Sequence, residues 1–320
     1  MKNPKKKLLI TGGSGLIGKF LIEQIYNDYE IFVLDFKKQI LRNKLFFKKF
    51  NKVKFYYGDI CDKKICKKSI RGKHYVVHLA AMLGVSNTEK NPNQCLRVNS
   101  EGTENIAKYC KIFKTKRLIF ASSSEVYGEP NLNPIKETFK LNGKSIYAIS
   151  KIIGEKIIQD LCFKNNYTIF RFFNTIGESQ VGQFVVPKFI KNFKENKNII
   201  INGNGKQIRG YAHAQDIAQG IKLTLKNKKT FNKIYNLGNS SECFSLKELA
   251  NKILRLNNKS KTKVIYNKAF LNTDRTKNRE INFRYCCTSK AKKDFNFKCR
   301  INLDSALSRI YKQKKIYSFW

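Results

Sequence analysis

No apolar run in this 320-residue sequence reaches the roughly 18 residues a membrane span needs, so a membrane-spanning protein is not expected. Histidine is scarce, with three residues, and no two C-x-x-C units occur. The nine cysteines are scattered, and Cys286–Cys287 is the only adjacent pair. A zinc centre or a disulfide framework finds no support in that pattern, and no metal is expected. Free thiols in a reducing compartment are the simpler account. The start, "MKNPKKKLLITGG", does not read as a secretory leader, because its apolar run, Leu8 to Thr11, is short and passes straight into glycines. A cytoplasmic protein is expected. Neither an internal repeat nor a low-complexity linker is found.

Acidic residues are also few: Asp and Glu number 23 against 64 Lys and Arg, a formal net charge of +41. Such a field attracts polyanions. The cations run from Lys2 to Lys315 without gathering into one arm, and Asn, Ile, Phe and Tyr are abundant alongside Lys. That pattern reads as biased residue usage, so no specific nucleic-acid partner is expected. The field still favours a small anionic substrate.

What is present is globular: 42% hydrophobic and 12% aromatic residues. Strands are expected at "KLLIT" (7–11), "EIFVLD" (30–35), "VKFYY" (53–57), "YVVHLA" (75–80), "RLIFAS" (117–122) and "YTIFRFF" (167–173). Stretches with helical spacing, such as "LIGKFLIEQIY" and "NSEGTENIAKYCKIF", lie between them. Apolar strands alternating with helices imply an α/β protein with a parallel sheet covered on both faces. After about residue 174 the rhythm loosens. "FVVPKFIKNFKE" and "SLKELANKILRL" read as helices, and "NIIINGNGKQIRGY" carries strand and turn signals.

"LLITGGSGLIGKFLIEQIY" has strand, glycine turn and helix in sequence. Gly13, Gly15 and Gly18 satisfy G-x-G-x-x-G, while Gly12, Gly15 and Gly18 satisfy G-x-x-G-x-x-G. Glycines let the backbone turn sharply and approach a pyrophosphate, which the helix start receives with free N–H groups. Asp35 ends the next strand, 17 residues after Gly18. A carboxylate there accepts hydrogen bonds from ribose hydroxyls and repels a 2′-phosphate, so NAD is expected over NADP. Lys37 and Lys38 work against that preference. Asp59, closing the third strand, suits either an adenine contact or a turn cap.

In "SIYAISK", Tyr147 and Lys151 form Y-x-x-x-K and share a helix face. An ammonium beside a phenol is expected to lower the Tyr pKa and prepare it as an acid–base group. Ser123, 24 residues upstream in "ASSSEVYGEP", ends a predicted strand, where ligands of such sheets bind. It is placed to hold a substrate hydroxyl. His78 reads as a core histidine, and His213 as a packing or capping residue.

With those motifs the sequence resembles the extended short-chain dehydrogenase/reductase family, within it the NAD-dependent nucleotide-sugar epimerases and dehydratases, and is UDP-glucose 4-epimerase-like. The matching pieces include "TGGSGLIG", "HLAA", "SSSEVYG", "YAISK", "RFFNTIG", "VVPKFI" and "GNGKQIRGYAHAQDIA", from residue 7 to about 220. The resemblance implies a Rossmann-type doubly wound parallel sheet with a smaller C-terminal α/β substrate domain. The division implied is 1–173 for NAD and 174–320 for the nucleotide sugar, with an interleaved boundary. It implies NAD contacts at Gly12, Gly15, Leu16, Ile17, Gly18, Asp35, Asp59, Ile60, Leu79, Ala80, Ala81, Asn99, Tyr147 and Lys151. Ser123, Tyr147, Lys151 and Glu125 are the implied catalytic set. Met82, Ser123, Ser124, Asn174, Arg209, Tyr211 and Arg284 are implied around the nucleotide-diphosphate sugar, the arginines as phosphate ligands. A homodimer is implied through helices near 100–113 and 147–165, where Ile106, Ile149, Ile153 and Ile157 recur at helical spacing. The same residues could face the protein's own sheet.

Decarboxylating and dehydrating relatives use an acidic residue at the position of Glu125 as a second proton carrier, but some epimerase-like members also carry Glu there. "HLAAMLGVSNTEKNP" looks like the epimerase-type loop. The expected activity is therefore an epimerase working through a transient keto-sugar. A 4,6-dehydratase, a glucuronate decarboxylase and, from another class, an inactive NAD- or RNA-binding protein remain as alternatives. Glu178–Ser179, Gly210 and Cys287 depart from the family pattern in substrate loops and leave the sugar open.

Overall fold

The computed structural model describes residues 4–162, 166–258, 260–267 and 281–313. Seven strands form one parallel sheet: β1 Lys6–Thr11, β2 Tyr29–Asp35, β3 Lys54–Tyr57, β4 Tyr75–His78, β5 Arg117–Ser123, β6 Tyr167–Phe172 and β7 Lys233–Leu237. Their order is β7-β6-β5-β4-β1-β2-β3. The chain starts in the middle and winds outward both ways, which leaves a crevice beyond the carboxyl ends of β1 and β4.

Period-two alternation divides the strands' apolar residues between two cores. Leu8, Ile10, Ile31 and Val33 face one layer, with Leu21, Ile22 and Ile25 of the helix Leu16–Ile25 and Ile217 and Ile221 of the helix Ala214–Thr224. Leu9, Val76, Leu118 and Phe120 face the other, with Ile106 of the helix Gly102–Ile112 and Ile158 of the helix Ile146–Cys162. All of these are essentially inaccessible to water.

The first lobe is not confined to residues before 174. The helix Ala214–Thr224 packs on the helix Leu16–Ile25, and β7 pairs with β6 from Lys233 opposite Thr168 to Leu237 opposite Phe172. Sequence order separates the lobes less cleanly than a cut at 173/174, because two later elements complete the earlier sheet and its layer.

The second lobe surrounds its own core, which includes Phe189, Ile190, Leu249, Ile253, Leu307 and Ile310 from three amphipathic helices. One of these, Leu246–Leu254, starts with a full capping box between Ser245 and Glu248. The stretch "NIIINGNGKQIRGY" folds as strand Ile199–Asn202, a turn, and strand Ile208–Gly210. The latter lies between Cys243–Ser245 and Phe283–Arg284. Among the described residues no helix is long and apolar enough to cross a membrane.

Candidate active site

The glycine turn lies where β1 meets the helix Leu16–Ile25. Gly12 has φ +67°, and a Cβ there would stand 2.8 Å from the Ala80 nitrogen. At Gly18 a Cβ would lie 2.6 Å from the Gly13 carbonyl oxygen. Helix and turn can approach only because both side chains are absent. Gly15 is the N-cap and makes no side-chain cap bond, and the first turn holds no acidic residue. That helix start keeps its N–H groups and positive dipole end for an anion.

Asp35, at the end of β2, accepts from the Ser14 N–H at 3.0 Å and the Phe36 N–H at 2.8 Å. Burial pushes its carboxyl above the usual range, against the pull of those bonds. Lys37 and Lys38 are exposed beside it. Asp59 caps its own turn, accepting from the Cys61 N–H at 3.0 Å. Ile60 is buried, while Leu16, Ile17, Leu79, Ala80, Ala81 and Met82 are partly exposed around the turn and the end of β4. Glycine cradle, bare helix start and carboxylate together fit the pyrophosphate and ribose of a dinucleotide.

Asn99 does more than its sequence assignment suggested. Its Oδ1 accepts from the Met82 N–H at 2.8 Å, and its Nδ2 donates to the Met82 carbonyl and to Ser150 Oγ, each at 3.0 Å. The amide ties the loop after β4 to the helix that carries Tyr147.

The three serines divide by strand alternation. Ser122 donates to buried Glu155, which receives both the Nε and Nη2 of Arg171 at 2.9 and 2.7 Å. Arg171 continues to the Tyr127 hydroxyl at 2.9 Å, and Tyr127 to Asn236 at 2.7 Å. Ser122 thus belongs to a buried scaffold between β5, β6 and the helix Ile146–Cys162. Ser123 faces the other way and accepts from the Glu125 N–H. Its hydroxyl lies close to the Tyr147 phenol. Ser124 is buried and opens the 3-10 turn Ser124–Tyr127.

Lys151 is buried and donates to the Ala121 carbonyl at 2.8 Å. Its Nζ stands 5.9 Å from the Tyr147 ring centre. Burial brings its pKa down to about 8, with nearby Cys95 and Glu155 opposing. The expectation that Lys151 lowers the Tyr147 pKa is not met in this arrangement. Burial pushes the phenol well above its ordinary value, Glu125 adds to the rise, and Ser123 opposes it. The ammonium is turned toward the strand carbonyl.

Glu125 accepts from Ser145 Oγ at 3.2 Å and lies 3.4 Å from Arg284. Arg284 sits opposite Arg209 in the parallel register of the small sheet. Both arginines are buried, and burial pushes Tyr211 up to about 12 although both cations oppose it. Arg209 donates to the carbonyls of Ile208, Asn282 and Ile281 at 2.8, 3.2 and 2.5 Å. Its guanidinium therefore holds the approach to strand Phe283–Arg284, a scaffold role the sequence did not signal. Asn174 keeps its side-chain oxygen buried without a hydrogen-bond partner among the described residues.

His78 is a satisfied core residue, bonded to Thr11 at 2.7 Å and Thr103 at 3.1 Å, and burial takes its pKa down to about 3. His213 caps the helix Ala214–Thr224 and also pairs with Glu178 at 2.7 Å. Sequence reasoning missed that pairing, and it missed Glu155. Glu155 had a usable signal: it follows Lys151 by four residues, on the same helix face. Glu178 and His213 had none, being 35 residues apart.

The comparisons agree with this geometry. The model of the "NAD dependent epimerase/dehydratase family" matches residues 8–238. A UDP-glucose 4-epimerase of Yersinia enterocolitica is 32% identical over 266 residues, 72% of this chain and 77% of its own. A dTDP-D-glucose 4,6-dehydratase of Dictyostelium discoideum is 31% identical over 272 residues, 78% of this chain and 62% of its own. Among solved structures, a UDP-glucose 4-epimerase of Thermotoga maritima crystallised with UDP-glucose has a TM-score of 0.84 at 22% identity, covering 96% of this chain and 97% of that one. With a family model matched over residues 8–238, and a glycine turn at the head of a seven-stranded parallel sheet, the chain belongs to the NAD-dependent epimerase/dehydratase family.

Proposed function

We propose that this protein is an NAD-dependent nucleotide-sugar epimerase, of the UDP-glucose 4-epimerase type. One observation carries the reading: Ser123 ends β5 close to the Tyr147 phenol, and Lys151, on the same helix as Tyr147, stands 5.9 Å from its ring centre. Gly12, Gly15, Gly18 and Asp35 would hold the dinucleotide, and Lys151 would hold its second ribose. When bound, NAD would supply a reversible two-electron acceptor that carries a positive charge.

Ser123 orients a sugar hydroxyl. Tyr147 removes that hydroxyl's proton as the sugar carbon is oxidised, and returns it after the keto-sugar has turned over. A positive charge entering the site opposes the burial that keeps the phenol protonated. Arg209, Arg284 and Tyr211 lie together on the substrate side, which suits a diphosphate. Asn174 offers a side-chain oxygen to the same ligand.

The loop after β4 tilts the choice to epimerisation, and Glu125 is the residue through which a rival reaction would run. Elimination of water needs a second proton carrier near the sugar. Here the Glu125 carboxylate is engaged by Arg284 and Ser145. Incubation with UDP-, GDP-, CDP- and dTDP-sugars, read by mass and NMR, tests the proposal. An unchanged mass with a new stereoisomer is expected. Loss of water or carbon dioxide would assign the protein to the dehydratases or decarboxylases.

The proposal includes a cytoplasmic homodimer. Ile149 and Ile153, on the outer face of the helix Ile146–Cys162, are 42% and 38% exposed, whereas Ile106 is fully buried in its own core. Light scattering at micromolar concentration should give twice the chain mass. A monomer would remove the dimer from the proposal.

A further inference from the structure

The cations that look evenly spread along the sequence are not evenly spread in space. In a parallel sheet all strands begin at one edge. Five of the seven are entered by "PKKK" (4–7), "NKVK" (51–54), "RGKH" (71–74), "KTKR" (114–117) and "KNKKTFNK" (226–233), while β2 is entered by "NDYE" (27–30), which carries Asp28 and Glu30. These distant segments meet side by side: the His74 N–H bonds the Lys7 carbonyl, the Lys116 N–H bonds the His74 carbonyl, and the Asn232 N–H bonds the Tyr167 carbonyl. None of these five segments contains an acidic residue.

The opposite edge, where the candidate active site lies, differs. Its turns "GGSG" (12–15), "GDICD" (58–62), "LAAMLG" (79–84), "FNTIGESQ" (173–180) and "GNSSE" (238–242) contain no Lys or Arg. Lysines at that edge include those after β2, Lys63 and Lys64 at the start of the helix after β3, and those of the long 124–145 segment, which also carries Glu125, Glu129 and Glu137. A general bias toward lysine codons would load both edges alike. Helix ends explain a share of the asymmetry, since Lys67, Lys68 and Lys111 complement the carbonyl ends of their helices. They do not explain the cations in the loops and at the strand starts.

We infer that the amino-terminal edge of the sheet is a docking face for an anionic phospholipid surface. Three observations favour a bilayer over a nucleic acid. The middle of the edge is level: Tyr75 lies opposite Arg117 and Leu118 opposite Tyr167, while β1 and β2 start two residues earlier and β3 starts three residues after β2. Seven strands at roughly 4.8 Å spacing make it about 30 Å wide. No exposed large apolar or aromatic side chain lies in the five segments, so bases would find no stacking platform. The face also carries a hollow of about 570 Å³ lined by Pro4, Lys5, Lys6, Lys7, Glu30 and His74, a setting for a phosphate-bearing headgroup. The concentrated field already acts on the protein itself, as burial and then Lys116, Lys6 and Lys7 push His74 below its ordinary range. With no apolar group to insert, docking is electrostatic and reversible. It leaves the candidate active site pointing into water.

Sedimentation of the full chain with vesicles tests this. Vesicles of phosphatidylcholine with about 30% phosphatidylserine should carry the protein down at about 50 mM salt, and phosphatidylcholine alone should not. The triple variant Lys116→Glu, Lys228→Glu, Lys229→Glu should bind anionic vesicles at least about tenfold more weakly, with nucleotide-sugar turnover unchanged. A control with the same charge change on the other lobe, Lys188→Glu, Lys247→Glu, Lys263→Glu, should change binding less than about threefold, because screening confines the attraction to the facing charges. Equal losses in both triple variants would overturn the docking face and leave only net charge. So would equal binding to neutral vesicles. Displacement from vesicles by a homopolymer RNA at equal phosphate concentration and about 150 mM salt would give the face to nucleic acid instead.

Discussion

Gly12, Gly15 and Gly18 fall within seven consecutive residues, and they shape the cofactor side of the crevice through one strand and one helix. Arg209 and Arg284, in the second lobe, are 75 residues apart and meet only because strand Phe283–Arg284 pairs with Ile208–Gly210. The first region builds its surface with its own backbone. The second does so with side chains held by distant parts of the chain: Arg209 by the carbonyls before Phe283, Glu125 by Arg284, and Glu178 by His213. A backbone site is hard to alter without losing it. A side-chain site can be rebuilt one contact at a time.

The contrast can be broken first where both regions converge. Tyr147→Phe should cut turnover by about 10²–10⁴-fold while NAD binding persists, since the ring stays and only the proton carrier is lost. Steady-state rates and calorimetric titration of NAD read the two effects separately. Activity within about threefold of the parent would remove Tyr147 from the chemistry. Next comes the backbone site. Gly12→Ala meets both a positive φ and the Ala80 backbone at 2.8 Å, which cannot move aside as a flexible side chain can. NAD affinity should fall about a hundredfold, and a loss under about threefold would show that the turn is not a fixed cradle.

Asp35→Ser tests charge at the ribose and should be milder. Removing the carboxylate is expected to narrow the preference for NAD over NADP by about tenfold, in titrations with each cofactor. A parent that binds NADP more tightly would show that Lys37 and Lys38 govern the pocket. The smallest effect is expected on the side-chain side. Burial alone would raise the Glu178 pKa, but the His213 hydrogen bond holds it below its ordinary value. A carboxylate held low when folded adds stability above its unfolded pKa and loses it as pH falls through the folded one. Glu178→Gln should therefore lower Tm by a few degrees near pH 7, on the order of 1 kcal/mol, with the gap closing below about pH 4. An equal gap at both pH values would show that the pairing is steric.

How much of this was legible follows the same division. Strands Lys6–Thr11, Tyr29–Asp35 and Arg117–Ser123 were readable because burial on both faces leaves uninterrupted apolar runs. The glycine turn was readable because its requirement is local. The strand expected over 75–80 ends at His78, since the residues after it turn toward the crevice. Ser122 could not be told from Ser123 in the sequence, because strand parity separates them and the partner of Ser122, Glu155, is 33 residues away. The Arg209 and Arg284 carbonyl and carboxylate partners were invisible for the same reason. How the cations are placed in space could not be read from the sequence, because it is the parallel sheet that brings five strand entries rich in Lys and Arg to one edge.

The Asn99 amide has a consequence in time as well as in space. The segment between β4 and the helix Val85–Lys90 contains no strand or helix, and such a stretch ordinarily opens to solvent on its own. Here the Met82 N–H and carbonyl are both closed by one side chain rooted in the turn Arg97–Glu101, which also grips Ser150. Ser150 in turn donates to the Tyr147 carbonyl at 2.7 Å. Opening at Met82 therefore requires the two helical segments to loosen with it. In deuterated buffer the Met82 amide should exchange as slowly as the amides around Ser150, and Asn99→Ala should release it selectively, uncoupling a clock that the intact protein runs as one.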